Sequence, residues 1–311
     1  MDDVLGYEGK RAVVTGAASG MGAAAAGLLI ELGAEVVAID VKPTDLAVKE
    51  SLEVDLRDAT AIDQAVAAIG EVDAVFSVAG LPGPPFSDLD TMKVNFIGAR
   101  QLIEGVAARM PAGGAVVCVA SNAGLGWEQD IDKLLPFVSS PDFDAAVAWC
   151  EAHPDVIAGG YMFSKKALNG WVAWRACSLM KDRGIRLNCS NPGPTDTAMM
   201  PAFEAQAGKE LIDAFVGPSG RRSTAEEQAW PLLFLNSPRS SYVAGEAFHV
   251  DAGFLAAMIT GQLGWGPWTE CGSWSWRRGP SSRPPARCWP TGARTSSRSS
   301  TPRLAIRSGA W

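Results

Sequence analysis

The chain is predicted to form an α/β fold: a doubly wound parallel β-sheet in a single domain, with a helical insert and an irregular C-terminal tail. Three observations carry this expectation. Short, β-branched apolar runs alternate with longer helical patterns, the runs are apolar throughout rather than at every second position, and a glycine-rich turn joins the first run to the first helix. Continuous apolar runs mark strands buried on both faces, and strand–helix alternation builds βαβ units covered by helices on both sides.

In chain order, strands are expected at RAVVT (11–15), EVVAID (35–40), AVFSVAG (74–80), AVVCVAS (115–121), IRLNCS (185–190) and EAFHVD (246–251), with SLEVD (51–55) a weaker seventh. Helical patterns occupy 21–32, 59–69, 88–110 and 162–183. Right-handed crossovers between such elements give the doubly wound arrangement. Residues 126–160 form an acidic insert that reads as two short helices joined near Pro136–Pro141. From Trp265 the composition changes: residues 265–311 hold six of the eleven Trp and eight Arg without a Lys, and show neither helical nor strand periodicity. This tail is read as a disordered basic extension, or as a non-native stretch from a shifted reading frame or from cloning. The domain itself is expected to span 1–264.

Composition narrows the function. Of 311 residues, 47% are hydrophobic and 20% charged, which suits a soluble protein with a sizeable core. No apolar run reaches the roughly 18 residues needed to cross a bilayer. The N-terminus, MDDVLGYEGK, lacks the basic-then-apolar order of a signal peptide, so a cytoplasmic location and no membrane partner are expected. The tail carries a net +7 against −7 for the whole chain, which leaves −14 on residues 1–264 and argues against a nucleic-acid partner. The six cysteines form no C-x-x-C pair, and His153 and His249 are the only histidines. No metal site is expected, and any catalysis must lean on another residue type.

The turn VTGAASGMGAAAA follows the first strand and opens an apolar helix. Gly16, Gly20 and Gly22 supply a tight turn, close backbone approach to a pyrophosphate and a helix N-terminus presenting N–H groups. The next strand ends in Asp40, whose carboxylate suits the two hydroxyls of an adenosine ribose and repels a 2′-phosphate. NAD rather than NADP is therefore expected. Further on, YMFSK (161–165) places Lys165 one helical turn after Tyr161 on the same face. A phenol with an ordinary pKa near 10 is a poor base at neutral pH, and a neighbouring cation favours phenolate.

At these residues the chain resembles the short-chain dehydrogenase/reductase family, in its single-domain, Rossmann-like branch, over nearly all of residues 8–260. TGAASGMG (15–22) resembles the family's glycine motif, and SVAG (77–80) its N-N-A-G motif without the asparagines. Asn95 in KVNFIGA, Ser121 in VASNAG, Tyr161 and Lys165 match a catalytic tetrad, and NPGPTDT (191–197) matches the P-G segment. The resemblance implies that Tyr161 is general base in oxidation and acid in reduction, that Ser121 stabilises the substrate oxygen, and that Asn95 holds a water passing the proton from Lys165 to solvent. It further implies NAD contacts from Gly16, Ser19, Gly20, Met21, Gly22, Asp40, Asp55, Leu56, Ala79, Gly80, Tyr161, Lys165, Pro192 and Thr195, with Asp55 at the adenine amine and Thr195 at the nicotinamide carboxamide. Lys166 is assigned to solvent.

Ser121 and Tyr161 stand 40 residues apart, a wider gap than most members of the family have. The insert that fills it resembles the subgroup containing 3α-hydroxysteroid dehydrogenase/carbonyl reductase and coniferyl-alcohol dehydrogenase. Residues 194–220 read as a substrate lid, with Met199, Met200 and Phe203 presenting an adaptable apolar surface and no arginine before Arg221. The expected substrate is a bulky neutral secondary or aromatic alcohol, or its ketone or other carbonyl counterpart, such as a steroid. The resemblance also implies a homodimer through 88–110 and 162–183, unless the insert blocks that face or creates another. Two other readings stay open: a non-enzymatic NAD(H)-sensing regulator, and a sugar-nucleotide epimerase, which shares Tyr-x-x-x-Lys. A serine hydrolase is disfavoured because Ser121 lacks a G-x-S-x-G elbow.

Overall fold

A computed structural model describes residues 3–263. The tail, residues 265–311, lies outside them. Seven parallel strands form one sheet: β1 (Arg11–Thr15), β2 (Glu35–Asp40), β3 (Glu50–Glu53), β4 (Ala74–Ser77), β5 (Ala115–Val119), β6 (Arg186–Pro192) and β7 (Ala247–Val250), in the order β3-β2-β1-β4-β5-β6-β7. The order reverses between β1 and β4, the switch point where doubly wound sheets bind ligands beyond their carboxyl ends. β3 is an edge strand with alternating exposure, which explains its weak apolar signal. The runs at 74–80 and 115–121 are longer than β4 and β5 because their last residues leave the sheet at this end.

Helices α1 (Gly20–Glu31), α2 (Ala59–Ile69), α3 (Asp88–Met92) and α4 (Ala99–Ala107) alternate with the first strands. The expected single helix over 88–110 is interrupted by a π-helical turn, Lys93–Gly98, between α3 and α4. Gly98 sits there against the Leu56 carbonyl, where a Cβ would come within 2.0 Å of the oxygen. The insert folds as α5 (Ile131–Val138) and α6 (Phe143–Ala152); Pro141 lies in their junction, whereas Pro136 is inside α5. The long helix α7 (Tyr161–Arg183) ends at Gly184 in the left-handed conformation. Then come α8 (Met200–Ala207), α9 (Lys209–Asp213), α10 (Ala225–Asn236) and α11 (Phe254–Ile259).

Alternate strand residues feed two cores. Val13, Val37, Val75, Val116 and Leu187 pack with residues of α2, α4, α7 and the insert, while Val14, Val36, Phe76 and Val117 pack with residues of α1 and α10. The insert belongs to the first core. Phe137 of α5 is buried 5.0 Å from the Phe96 ring and 4.8 Å from Trp149, and Arg100 of α4 donates to the Val138 and Ser140 carbonyls at the end of α5. Lys166 does not point to solvent: its Nζ lies 2.6 Å from Asp130 Oδ2 and ties α7 to the start of the insert. Among the described residues, no helix is long and apolar enough to cross a membrane, and no group of three or more His, Cys, Asp or Glu is placed to hold a metal ion.

Candidate active site

The glycine turn closes on the ends of β1 and β4. Thr15 Oγ1 accepts hydrogen bonds from the N–H groups of Val78 (2.9 Å) and Ala79 (3.1 Å), which draws the two strand ends together. Gly16 has φ +74°, and a Cβ there would stand 2.9 Å from the Ala79 backbone. At Gly22 a Cβ would meet the Gly16 carbonyl at 2.1 Å, so only glycine lets α1 start this close to the strand. Ser19 caps α1 with extended backbone and no side-chain hydrogen bond; Gly20 and Met21 follow in the first turn. The first-turn N–H groups therefore have no acceptor from their own cap, as an anion cradle requires. Asp40, half-buried at the end of β2, accepts from Ala18 N–H (3.1 Å) and Lys42 N–H (3.2 Å) and so sits against this turn.

Asp55 forms an ion pair with Arg57 at 2.6 Å, and the guanidinium hydrogen bonds hold its carboxyl below the usual range. Arg57 thereby fixes the orientation of the carboxylate. Leu56 is buried beside Gly98. Ala79 and Gly80 lie just past β4, and a Cβ on Gly80 would come within 3.3 Å of Asn95 Oδ1 and 3.7 Å of Lys165 Nζ. Pro192 ends β6. The Thr195 hydroxyl is committed to Gly193 O (3.0 Å) and Ser223 Oγ (2.9 Å), because Thr195 pairs with Ser223 in a parallel bridge. Thr197 approaches the glycine turn, its Cγ2 standing 3.4 Å from where a Gly20 Cβ would be.

The four tetrad residues converge at the carboxyl end of the sheet. Tyr161 is the first residue of α7, and the Lys165 ammonium lies 5.4 Å from its ring centroid. Lys165 is 4% exposed, and its Nζ donates to the Val119 carbonyl (2.8 Å) at the end of β5, two residues before Ser121. Burial lowers the Lys165 pKa to about 8. Burial also raises the Tyr161 phenol to about 12, while a hydrogen bond with the Ser121 side chain lowers it. Ser121 Oγ accepts from Ala123 N–H (3.1 Å), which fixes the serine at the start of a 3-10 turn, Asn122–Gly124. Asn95, buried in the π-helical turn, bonds through both side-chain atoms: Oδ1 accepts from Leu81 N–H (2.6 Å), and Nδ2 donates to Leu81 O (3.0 Å) and Ser164 Oγ (3.1 Å). Its amide thus ties the π-helical turn to the loop after β4 and to the first turn of α7.

Helix α8, within the expected lid 194–220, contacts this cluster. Phe203 of α8 meets the Tyr161 ring edge-on at 4.9 Å, and Met200 is buried while Met199 is half-buried. Gln206 donates to the Pro84 carbonyl (3.0 Å) and to Pro82 O (3.4 Å), joining α8 to the loop after β4. Arg222, with its side chain 13% exposed, pairs with Glu204 (2.6 Å), Asp213 (2.7 Å) and Asp196 (3.6 Å). One cation thus gathers α8, α9 and the segment leaving β6.

A family model described as short chain dehydrogenase matches residues 10–129, and one described as Enoyl-(Acyl carrier protein) reductase matches 154–255. The stretch between the two matches is the α5–α6 insert. The coniferyl-alcohol dehydrogenase of Pseudomonas sp. (strain HR199 / DSM 7063) is 30% identical over 80% of this chain and 98% of its own. The chain belongs to the short-chain dehydrogenase/reductase family. It is an oxidoreductase of that family. A second relative, the 3-alpha-hydroxysteroid dehydrogenase/carbonyl reductase of Comamonas testosteroni, is 32% identical over 79% of this chain and 96% of its own. The 3-alpha-hydroxysteroid dehydrogenase of Pseudomonas sp. B-0831, solved with NADH, superimposes with a TM-score of 0.68 at 30% identity, covering 80% of this chain and 98% of that one.

Proposed function

We propose that the protein is an NAD-dependent dehydrogenase/reductase interconverting a bulky, neutral secondary or aromatic alcohol and its carbonyl compound. The observation that carries this reading is the convergence of Tyr161, Ser121 and Lys165 beside the glycine turn. That turn fits a dinucleotide: a Cβ at Gly16 or Gly22 would strike the Ala79 backbone or the Gly16 carbonyl, so the tight turn onto the start of α1 requires glycine at both, and Asp40 stands at the next strand end with a carboxylate suited to ribose hydroxyls. Gly16, Ser19, Gly20, Met21, Gly22 and Asp40 would hold the adenosine ribose and pyrophosphate, with Asp55 and Leu56 toward the adenine and Ala79, Gly80, Tyr161, Lys165, Pro192 and Thr195 toward the nicotinamide end. When bound, the cofactor supplies the hydride acceptor in oxidation and the donor in reduction.

The chain's own residues handle the proton. Ser121 fixes the substrate oxygen next to the Tyr161 hydroxyl, which takes the alcohol proton in oxidation and returns it in reduction. A phenol that burial holds near 12 needs help to act as a base, and the Lys165 ammonium one turn away supplies the stabilising charge. Asn95 fixes Leu81 and the π-helical turn through its side chain, and in this reading it holds the water that passes the proton from Lys165 to solvent.

The neutral-substrate reading rests on charge. Arg221 is paired with Glu227 and Arg222 with three carboxylates, so neither offers an unpaired charge to a substrate phosphate or carboxylate. Met199, Phe203 and Leu81 offer apolar surface instead. The names of the steroid- and coniferyl-alcohol-converting relatives support the same substrate class. Unpaired thiols at Cys118, Cys150, Cys177 and Cys189 suit a reducing, cytoplasmic compartment. A homodimer is the proposed assembly; since α5 packs on α7 near Gly170, its interface lies on another face, and a monomer in sedimentation at micromolar concentration refutes it.

The deciding experiment follows NADH absorbance with a 3α-hydroxysteroid, coniferyl alcohol and a cyclohexanol, for the wild type and Tyr161→Phe. Turnover that falls by about 10³-fold or more in the variant, at unchanged NAD affinity, supports the assignment. Tight NAD binding without turnover on any alcohol or ketone overturns it.

A further inference from the structure

Two buried asparagines outside the tetrad meet behind Ser121. The β5–β6 ladder ends where Ala120 N–H donates to Ser190 O (2.8 Å), and the β4 ladder has already ended at Ser77. The next donor along the chain is the Ser121 N–H. Its partner is a side chain: Asn191 Oδ1 on β6, at 3.3 Å. The same oxygen accepts from Asn169 Nδ2 at 3.0 Å. Asn191 is 0% and Asn169 1% exposed. Burying amides costs free energy unless they are hydrogen-bonded, and Asn191 Nδ2 and Asn169 Oδ1 have no protein partner, so packing alone does not account for the pair.

The location of Asn169 supplies a reason. It stands one helical turn after Lys165 and two after Tyr161, on the same face of α7. It also abuts the serine's own turn, since a Cβ on Gly124 would lie 2.8 Å from Asn169 Nδ2 and 3.0 Å from the Lys165 carbonyl. The chain from Ser121 N–H through Asn191 to Asn169 therefore links the strand end carrying the serine to the helix carrying the tyrosine and lysine.

We propose that Asn191 and Asn169 are positioning residues for the reaction: together they fix the Ser121 backbone relative to α7 and so set the distance between the Ser121 and Tyr161 hydroxyls. This rests on the assignment of Tyr161 and Ser121 under Proposed function. Neither asparagine touches the reacting atoms. Their action is on the turnover number and its pH dependence, because the Ser121 hydrogen bond favours the phenolate.

The test uses full-length Asn191→Ala and Asn169→Ala, with coniferyl alcohol and a 3α-hydroxysteroid as probes. Backbone amide hydrogen exchange at Ser121, read without substrate, should quicken about tenfold or more in Asn191→Ala while the β5 amides keep their protection. With turnover, kcat should fall about 10- to 100-fold at near-constant NAD affinity, and the rising limb of its pH profile should move to higher pH. In a Ser121→Ala background the further loss from Asn191→Ala should shrink below about twofold. Should Asn191→Ala fail to fold, Asn169→Ala, which keeps the oxygen facing Ser121, should still quicken exchange at Ser121 and lower kcat severalfold. Unchanged Ser121 exchange in the folded variants overturns the proposal, as does an equal kcat loss with and without the Ser121 hydroxyl. If neither probe is turned over, the exchange measurement alone decides, separately from the fate of the proposed activity.

Discussion

Replacing Lys165 by Met should slow catalysis sharply and at the same time change how stability depends on pH. The unbranched methionine fills nearly the same volume without a charge. In the folded protein, burial lowers the Lys165 pKa from 10.5 to about 8, which corresponds to about 3 kcal/mol of cost for keeping the ammonium. Below pH 8 both folded and unfolded chains hold the proton, so the full cost is present. Between about 8 and 10.5 the folded chain releases it first, the unfolded chain binds more protons, and stability rises with pH. Above 10.5 both are neutral and the cost is gone. Cys118 and Cys189, whose thiols burial pushes upward, stay protonated over most of this window and leave the lysine as the group that titrates beside them.

The variant removes this cost and leaves the Val119 carbonyl without its donor, a loss of about 1–3 kcal/mol. At pH 7 Lys165→Met should therefore range from as stable as the wild type to about 2 kcal/mol more stable. By pH 10 the wild type has regained most of its 3 kcal/mol and should be the more stable of the two. Urea unfolding of the cofactor-free proteins at pH 7 and pH 10 measures the double difference, in which groups far from Lys165 cancel. Its expected size is about 3 kcal/mol, and kcat should fall about 10²- to 10⁴-fold. A stability difference between the two proteins that is the same at both pH values would refute the reasoning, since it would mean that the lysine is not charged and buried in the way its surroundings imply.

Three further outcomes follow from other contacts. If Asp40 selects NAD as proposed, Asp40→Ser should lower the ratio of kcat/KM with NAD to that with NADP about tenfold or more, because a carboxylate that repels a 2′-phosphate is lost. Gly22→Ala places a methyl 2.1 Å from the Gly16 carbonyl and should weaken NAD binding about tenfold in a fluorescence titration, with a stability loss of about 1–3 kcal/mol. Arg222→Met leaves Asp196, Glu204 and Asp213 repelling one another and should raise the substrate KM severalfold while exposing residues 196–222 to limited proteolysis.

What was legible in the sequence was what a local rule dictates. The strands of the sheet interior announce themselves as unbroken apolar runs because both faces are covered. Lys165 can be assigned to Tyr161 because four residues on one helix is a fixed distance, and Gly16 and Gly22 read as a cradle because their steric demand arises within the turn itself. The features that escaped depend on a partner from elsewhere in the chain. The π-helical turn forms where Gly98 meets the Leu56 carbonyl, and nothing within 88–110 signals that contact. Lys166 is drawn to Asp130 in the insert, Asp55 pairs with Arg57, the Thr195 hydroxyl meets Ser223, and Thr197 stands by the glycine turn.

One signal of such long-range demand was nevertheless present. In IRLNCSNPG the asparagines interrupt a run that otherwise reads as a fully buried strand, and a buried amide persists only where something needs its hydrogen bonds. Asn188 serves the main chain of Val243 and Glu246 and so holds the segment that enters β7, a structural duty. Asn191 holds the N–H of Ser121 and the amide of Asn169. The two violations look alike in the sequence, and their partners separate them: one is met by backbone alone, the other by a residue of the tetrad and the helix that carries two more. A polar residue inside an apolar run therefore locates a requirement, and the fold says whose requirement it is.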